Sequence, residues 1–363
     1  MNSDVSQLIR SLRLIMVMGL VFVHFSNFPG DALDPFTGVV NPSFVMASSF
    51  NSFFTYFFLC SVPVLSAISG YLYCYRGTPI YVTSIKKKIK TLILPYLTWT
   101  SIWLLLAFIL YSVGKSSNQF TYYDQGFSDY SLMDLLNGII GITKAPFAFQ
   151  FWFVHDLVLS ILLTPIIIPA IKKLGIIIVI IPFLLWILEI EPWGLLSFKV
   201  ISFFNLGLYV AIKKIELSIP TKLNRLNMIT AGFIIMVLIR IYIPAFYDGE
   251  MPFDTAYELV LRVVGSIAIV TLVLNMRSHL KPAYKYLVNH SGYAFFLHAF
   301  HFPLVIIIKQ VIFMSGFFHG DLGMAILWIS SVIVTLIISI ASAKMINLCA
   351  PKVYKFLNGQ RSI

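Results

Sequence analysis

The sequence predicts an all-α membrane protein with about ten transmembrane helices in one bundle. Three observations indicate this class: hydrophobic residues make up 59% of the 363 residues, charged residues make up 11%, and apolar runs long enough to cross a bilayer recur along the chain. Soluble domains carry about 25% charged residues, and a transmembrane helix needs about 20 apolar residues. We therefore expect a single integral membrane domain over residues 1–363, surrounded by membrane lipids.

The predicted spans are apolar runs separated by polar segments. They cover residues 8–28, 49–74, 91–113, 149–170, 174–190, 195–212, 226–246, 257–275, 287–313 and 323–347. The longest external segments, 29–48 and 114–148, include an amphipathic stretch at 131–142 that predicts a short helix on the outer surface. The three cysteines have no disulfide or zinc-ligand spacing, so no metal site is predicted.

The Lys and Arg residues predict the orientation. With the N-terminus in the cytoplasm, 20 of the 26 basic residues fall at the cytoplasmic ends of the spans, as expected for membrane proteins. The even number of spans then places both termini in the cytoplasm. This distribution explains the net charge of +11, so we do not expect the protein to bind nucleic acid.

The first span contains Arg13 and His24, which enclose ten residues that are all apolar or glycine. On a helix, positions eleven apart differ by about 20° in direction and by about 16 Å along the axis. Ionisable side chains are costly in hydrocarbon, and most face the interior of a bundle or a cavity. We therefore expect both side chains to face the interior, with Arg13 near the cytoplasmic mouth and His24 in the outer half.

Other ionisable residues fall in the outer halves of later spans. They are His155 and Asp156 in the fourth span, Arg240 in the seventh, Glu258 and Arg262 in the eighth, and His298 and His301 in the ninth. Several of them also have structural interpretations. Glu258 and Arg262 are spaced for an ion pair, and Arg240 could extend to the lipid headgroups. His301 could bond a backbone carbonyl freed near Pro303.

This layout suits a long ligand with phosphates at one end. Arg13 and the basic run Lys86–Lys90 could bind the phosphates, although that run is also explained as an orientation signal. His24 would act at the other end, where a neutral imidazole can take the proton of an attacking hydroxyl. Coenzyme A has this form, with phosphates, a thin arm and a terminal thioester. The spacing alone leaves a lipid phosphate as an alternative ligand.

Five segments, in this order along the chain, resemble the acyltransferase-3 family of integral membrane O-acyltransferases. They are Arg13 with His24, the Ser69-Gly70-Tyr71 segment of the second span, the run Lys86–Lys90 that leads to Pro95-Tyr96, the sequence Phe151-Trp152-Phe153, and Ser291–His298 in the ninth span. The resemblance covers nearly the whole chain. The family often has arginine where this chain has Lys88 and Thr91.

The resemblance implies a ten-helix protein of the bacterial cytoplasmic (inner) membrane. Such a protein moves an acyl group, commonly acetyl, from cytoplasmic acyl-CoA to a hydroxyl of an extracytoplasmic or lipid-linked glycan. The resemblance also implies acetyl-CoA as co-substrate. Because the chain ends shortly after the tenth predicted span, we expect the stand-alone kind, without the esterase-like domain that is fused to some relatives, and we expect no metal. On this basis catalysis is assigned to His24; donor binding to Arg13, Lys87, Lys88, Lys90, Ser69 and Gly70; and acceptor binding to Trp152, His155, Asp156, His298 and Arg262.

Two other functions stay open at the level of sequence. A transporter or flippase for an anionic glycan would also bury charges, but such proteins often contain interrupted helices in matching halves, and no such symmetry is visible. An acyltransferase of the MBOAT type would use His298 as its principal residue, and Arg13 and His24 would be incidental. A turnover assay with acyl-CoA separates the transporter from the enzymes.

Overall fold

The computed structural model describes residues 2–30, 35, 41, 43–112, 130–143, 146–190, 197–220, 222–242 and 252–361. Within these ranges the chain forms α-helices and no β-strand, so the predicted all-α class is confirmed. The helices are α1 (Ser3–Val23), α2 (Val45–Phe58), α3 (Ser61–Cys74), α4 (Tyr81–Lys88), α5 (Leu94–Ser112), α6 (Leu132–Ile140), α7 (Trp152–Leu162), α8 (Thr164–Leu174), α9 (Ile177–Ile187), α10 (Phe198–Ile212), α11 (Asn224–Tyr242), α12 (Pro252–His279), α13 (Lys281–Asn289), α14 (Ala294–Met314), α15 (Gly320–Cys349) and α16 (Pro351–Leu357).

Seven helical segments in the described part of the chain are long and apolar enough to cross a membrane. They are α1, Val45–Cys74, Tyr81–Ile109, α11, α12, Ser291–Met314 and α15. Helices α7 and α8 form a pair bent by 65°, and α9 and α10 are apolar but shorter. These segments coincide with the ten predicted spans. A multi-pass membrane protein is therefore confirmed, whereas the number of crossings stays a prediction.

The structure describes parts of the two long external segments. The stretch predicted as a short amphipathic helix is α6, and its first turn is closed by a capping box between Ser131 and Asp134. This prediction is therefore confirmed for the helix itself. Residues 31–34, 36–40 and 42 of the first long external segment, and 114–129, 144 and 145 of the second, lie outside the described residues.

Helix α1 ends before its predicted span does, whereas the interruption of α14 lies next to Pro303, where the sequence predicts a freed backbone carbonyl. Helix α1 ends at Val23, and His24 is its C-cap, with its backbone N–H donating to the Leu20 oxygen at 2.9 Å. Helix α14 is interrupted at Phe302, whose backbone is extended (φ −117°, ψ 132°). A proline disfavours helical geometry in the residue before it, and Pro303 follows. Both interruptions border the candidate site.

Helices α3 and α10 pack closely through two glycines. A methyl group added at Gly70 would lie 2.0 Å from the carbonyl oxygen of Phe204, and one added at Gly207 would lie 2.0 Å from that of Ala67. Small residues allow helix backbones to approach in this way in membranes. Gly70, which is predicted to contact the acyl donor, therefore has a packing role in the structure.

Polar contacts bring both termini to the same end of the bundle. Arg10 Nε donates to Ser291 Oγ at 3.2 Å, and Asn358 Nδ2 donates to the Gly292 oxygen at 2.9 Å. The turn before α14 thus contacts both the first helix and the C-terminal residues. These contacts show that the termini share an end, as the sequence predicts, and leave open which compartment that end faces.

We expect this shared end to be cytoplasmic. Reporter fusions after Lys173 and after Arg225 should give a cytoplasmic signal, because basic residues concentrate in cytoplasmic loops. Fusions near Asp124 and Asp248, which lie outside the described residues, should give an external signal. An external signal after Lys173 would contradict the ten-span topology.

Candidate functional site

A cavity of about 730 Å³ lies where α1 ends, where α2 meets α3, and where α7 and α10 begin. Helices α12 and α14 complete its wall. The lining includes four of the residues that the sequence predicts for the site: His24, Trp152, Arg262 and His298. The structure thus joins side chains from four helical regions in one space.

The imidazoles of His24 and His301 form a buried pair at this cavity. Nδ1 of His24 lies 2.8 Å from Nε2 of His301, and the rings are nearly parallel, with centroids 5.0 Å apart. Nδ1 of His301 lies 3.0 Å from the carbonyl oxygen of Leu297. His301 thus bonds to the backbone of its own helix. The carbonyl that loses its donor because of Pro303 is that of Ala299, and it accepts from Gln150, so the predicted bond from His301 to a freed carbonyl is not found among the described residues. Because His301 is fixed by its own helix, it holds His24 in one orientation.

These contacts assign the protons when both rings are neutral. A carbonyl oxygen can only accept, so Nδ1 of His301 carries its hydrogen and Nε2 of His301 accepts. The hydrogen between the rings then belongs to Nδ1 of His24, which leaves Nε2 of His24 unprotonated. Nε2 of His24 can take a proton from a hydroxyl in the cavity. His301 keeps the His24 ring in the tautomer that this step requires.

His298 lines the cavity beside this pair. Its ring centroid is 5.9 Å from that of His301, and Phe151 and Phe153 meet it edge-on at 5.7 and 6.1 Å. Both of its ring nitrogens are buried and have no hydrogen-bond partner of good geometry within the described residues. His298 contacts the backbone of Gln150, but among the described residues it has no ring-nitrogen partner like the one that His301 gives His24. Among the described residues, no group of three His, Cys, Asp or Glu side chains is placed to hold a metal ion.

The predicted residues of α7 divide between the cavity and its supporting wall. Trp152 lines the cavity, whereas His155 and Asp156 lie outside the lining. Asp156 is buried; its Oδ1 lies 3.0 Å from Nδ1 of His155, and its Oδ2 accepts from the backbone N–H of Ser197 at 3.1 Å. Ser197 is the N-cap of α10 and lines the cavity. Asp156 therefore holds Ser197, and with it the start of α10, in place in the cavity wall.

The ion pair predicted between Glu258 and Arg262 is confirmed, with two guanidinium nitrogens of Arg262 donating to one carboxylate oxygen. Lys199 Nζ lies 3.6 Å from the same oxygen. Arg240 forms a buried ion pair with Asp254 at 3.3 Å and does not extend to the headgroups. Arg262 thus combines a structural pairing with a place in the cavity lining.

A second group of basic residues lies away from the cavity, near the termini. Lys88 is repelled by the charges of Arg361, Arg13 and Lys87, so these four residues, here called the cationic cluster, lie close together. Burial and the charge of Arg13 lower the pKa of Arg361 to about 10. None of the four forms an ion pair in the described part of the chain. Unpaired neighbouring cations of this kind suit a polyanion such as a phosphate group.

The other predicted donor residues have different surroundings. Lys90 is exposed in the π-helical turn Ile89–Ile93 between α4 and α5. Ser69 Oγ donates to the Leu65 oxygen at 2.7 Å within its own helix, and Gly70 faces α10. The structure thus brings Arg13, Lys87 and Lys88 together and gives Ser69 a local partner.

The structure adds three residues that sequence analysis did not assign to a site. Lys309 lines the cavity, and a charged residue within an apolar run was a usable signal. Gln150 Nε2 donates to the oxygens of Ala299 and Phe302 at 3.0 and 2.7 Å, which satisfies the backbone at the interruption of α14. Arg361 joins the cationic cluster, although its position near the C-terminus indicated only orientation.

A family model described as an acyltransferase domain matches residues 8–344. The succinoglycan biosynthesis protein ExoH of Rhizobium meliloti (strain 1021) is 26% identical over 372 residues, and the alignment covers 100% of this chain and 94% of ExoH. No solved structure matches the chain.

Proposed function

The chain belongs to the acyltransferase-3 family of multi-pass membrane proteins, and we propose that it moves an acetyl group from cytoplasmic acetyl-CoA to a hydroxyl of an extracytoplasmic or lipid-linked glycan. Family membership makes the protein an acyltransferase. The acetyl group, the coenzyme A donor and the glycan acceptor are the proposed details. We place the protein in a bacterial inner membrane, since its relative ExoH is bacterial.

The observation that carries this proposal is the place of His24 in the cavity lining, with its Nδ1 2.8 Å from Nε2 of His301. With both rings neutral, this contact assigns Nε2 of His24 as the nitrogen without a hydrogen. The acceptor hydroxyl gives its proton to this nitrogen while its oxygen attacks the thioester carbonyl. The carbon–sulfur bond then breaks, and the leaving thiolate takes the proton. The products are an ester on the acceptor and free coenzyme A. His301 acts through His24, because it holds the tautomer and does not need to contact the reacting atoms.

The cationic cluster supports a donor that enters from the end of the bundle where the termini lie. Arg13 precedes His24 by eleven residues, a separation of about 16 Å along α1. A donor with its phosphates at Arg13 could extend in the direction of α1 and bring its thioester towards His24. Further donor contacts at Lys90, Ser69 and Gly70 stay predictions.

The cavity supports the acceptor site. Trp152, Arg262 and His298 line it together with His24, and an aromatic ring beside polar groups is a suitable surface for a sugar. The name of ExoH assigns that relative to succinoglycan biosynthesis, which supports a glycan as acceptor here. His155 and Asp156 contribute by holding the start of α10.

Replacing Asp156 with asparagine should lower acyl transfer about tenfold and leave acyl-CoA binding unchanged. The amide keeps the size of the side chain but weakens the charge-assisted bond to Ser197, which is worth more than a neutral hydrogen bond. Transfer and binding are measured on one purified sample, with Asp134→Asn, in the capping box of α6, as the control. Equal losses of both with poor expression would instead give Asp156 a role in folding.

Purified protein with radiolabelled acetyl-CoA and lipid-linked glycans from its own cells tests the proposed function. We expect label to enter the glycan while an equal amount of coenzyme A is released. A transporter or flippase would move the glycan across a vesicle membrane without consuming acetyl-CoA. That result would contradict the proposal.

A further inference from the structure

Lys309 is a cationic residue of the described cavity lining that the proposed reaction does not use. It follows an apolar run, Leu304–Ile308, in α14 and is 5% exposed. Its ammonium donates to the backbone oxygens of Phe25 and Asn27 at 2.8 and 2.7 Å and lies 4.7 Å from the centre of the Phe25 ring. These contacts place a fixed cation beside the residues that directly follow His24.

The charge of Lys309 is not balanced by an acidic side chain in the part of the chain that the structure describes. The hydrogen-bond partners of Lys309 are neutral carbonyl groups. A neutral side-chain donor would satisfy these carbonyls at a lower free-energy cost, because burying an unpaired charge is strongly unfavourable. An ammonium has three N–H donors, and these contacts use two. Among the described residues, one donor and the charge are therefore left for a ligand.

The other charged residues of the described lining have the same sign. They are Lys199 and Arg262, and the described lining contains no Asp or Glu. Glu258 contacts both of these cations from behind the lining, while Asp156 accepts from the backbone of the wall. A cleft with cationic groups set in largely apolar walls attracts anions.

We propose that the cavity binds a carboxylate carried by one of the two substrates, with Lys309 as its principal partner. This inference rests on the proposed function, because the carboxylate would be held in the space where His24 acts. The carboxylate belongs either to an acidic sugar of the acceptor or to the far end of a dicarboxylic acyl group. The second source keeps the acyl transfer at His24 but replaces the proposed acetyl group with a dicarboxylic one. A neutral acyl group on a neutral sugar would leave the charge of Lys309 unpaired.

The test compares dissociation constants for two matched pairs of probes on the purified full-length protein. Methyl glucuronide against methyl glucoside examines the acceptor, and succinyl-CoA against butyryl-CoA examines the acyl group. We expect the carboxylate-bearing member of one pair to bind at least about tenfold more tightly. The pair that shows the preference identifies the source of the carboxylate.

Substitutions at Lys309 test whether this residue causes the preference for the carboxylate. Lys309→Met keeps the length of the side chain without its charge and should bring the affinity ratio close to one, whereas Lys309→Arg and the exposed control Lys285→Met should keep it. Equal binding within both pairs by the wild-type protein overturns the inference, as does a ratio that Lys309→Met leaves unchanged. Because the readout is binding, a preference without any acyl transfer would uphold the carboxylate site and contradict the proposed function.

Discussion

Replacing His24 with alanine is expected to lower the rate of glycan acylation by about 10²–10⁴-fold, the usual contribution of a general base. The variant loses the nitrogen that takes the hydroxyl proton, whereas the cationic cluster, with Arg13 about 16 Å away along α1, is unchanged. Binding of acyl-CoA should therefore stay at the wild-type level. The two quantities to measure are kcat for glycan acylation and Kd for acyl-CoA.

His290 provides a matched control for this substitution. It is half-buried, its Nδ1 bonds to the Tyr286 oxygen at 2.9 Å, and it is not part of the described cavity lining. His290→Ala should acylate the glycan at the wild-type rate. Near-normal turnover in His24→Ala would move the search for the base to His298, the second imidazole of the lining.

Replacing Arg13 with alanine should weaken acyl-CoA binding by about 10- to 100-fold, because a charge-assisted bond to phosphate is lost. Arg13→Lys should lie between this variant and the wild type, since lysine keeps the charge but not the two-pronged guanidinium. Single changes at Lys87 or Lys88 should have smaller effects, because partly exposed charges share the phosphates and are screened by salt. Titration with acyl-CoA at fixed ionic strength measures these affinities.

Arg10 is the control for Arg13 because it lies almost one turn earlier on the same helix. It is exposed and donates to Ser291 Oγ, outside the cationic cluster. Arg10→Ala should bind acyl-CoA with nearly wild-type affinity. If Arg13→Ala also bound it as tightly as the wild type, the donor site would lie elsewhere.

The features that the sequence predicts correctly are local in origin. Apolar runs of membrane length mark the helical segments, and the four-residue spacing of Glu258 and Arg262 predicts their ion pair. The assignment of His24, which stays a prediction, also depends on one run, since an ionisable side chain after ten apolar residues or glycines has few inexpensive roles. Its place in the cavity lining agrees with that interpretation.

The features that the sequence does not predict depend on contacts between distant segments. His301 meets His24 across 277 residues of chain, and nothing in either local sequence specifies that meeting. Gln150 similarly bonds to the backbone oxygens of Ala299 and Phe302, which lie 149 and 152 residues further along the chain. These bonds depend on the packing of the two segments. Arg361 resembles any basic residue near a terminus until the fold brings it to Arg13.

The most direct test of the account follows one turnover of bound donor. Wild-type protein and His24→Ala are loaded with radiolabelled acetyl-CoA, and the lipid-linked glycan is then added to each. The account predicts that the wild type transfers its label to the glycan, whereas His24→Ala keeps intact acetyl-CoA bound over the same time. Transfer by His24→Ala at the wild-type rate would contradict the claim that His24 activates the acceptor hydroxyl.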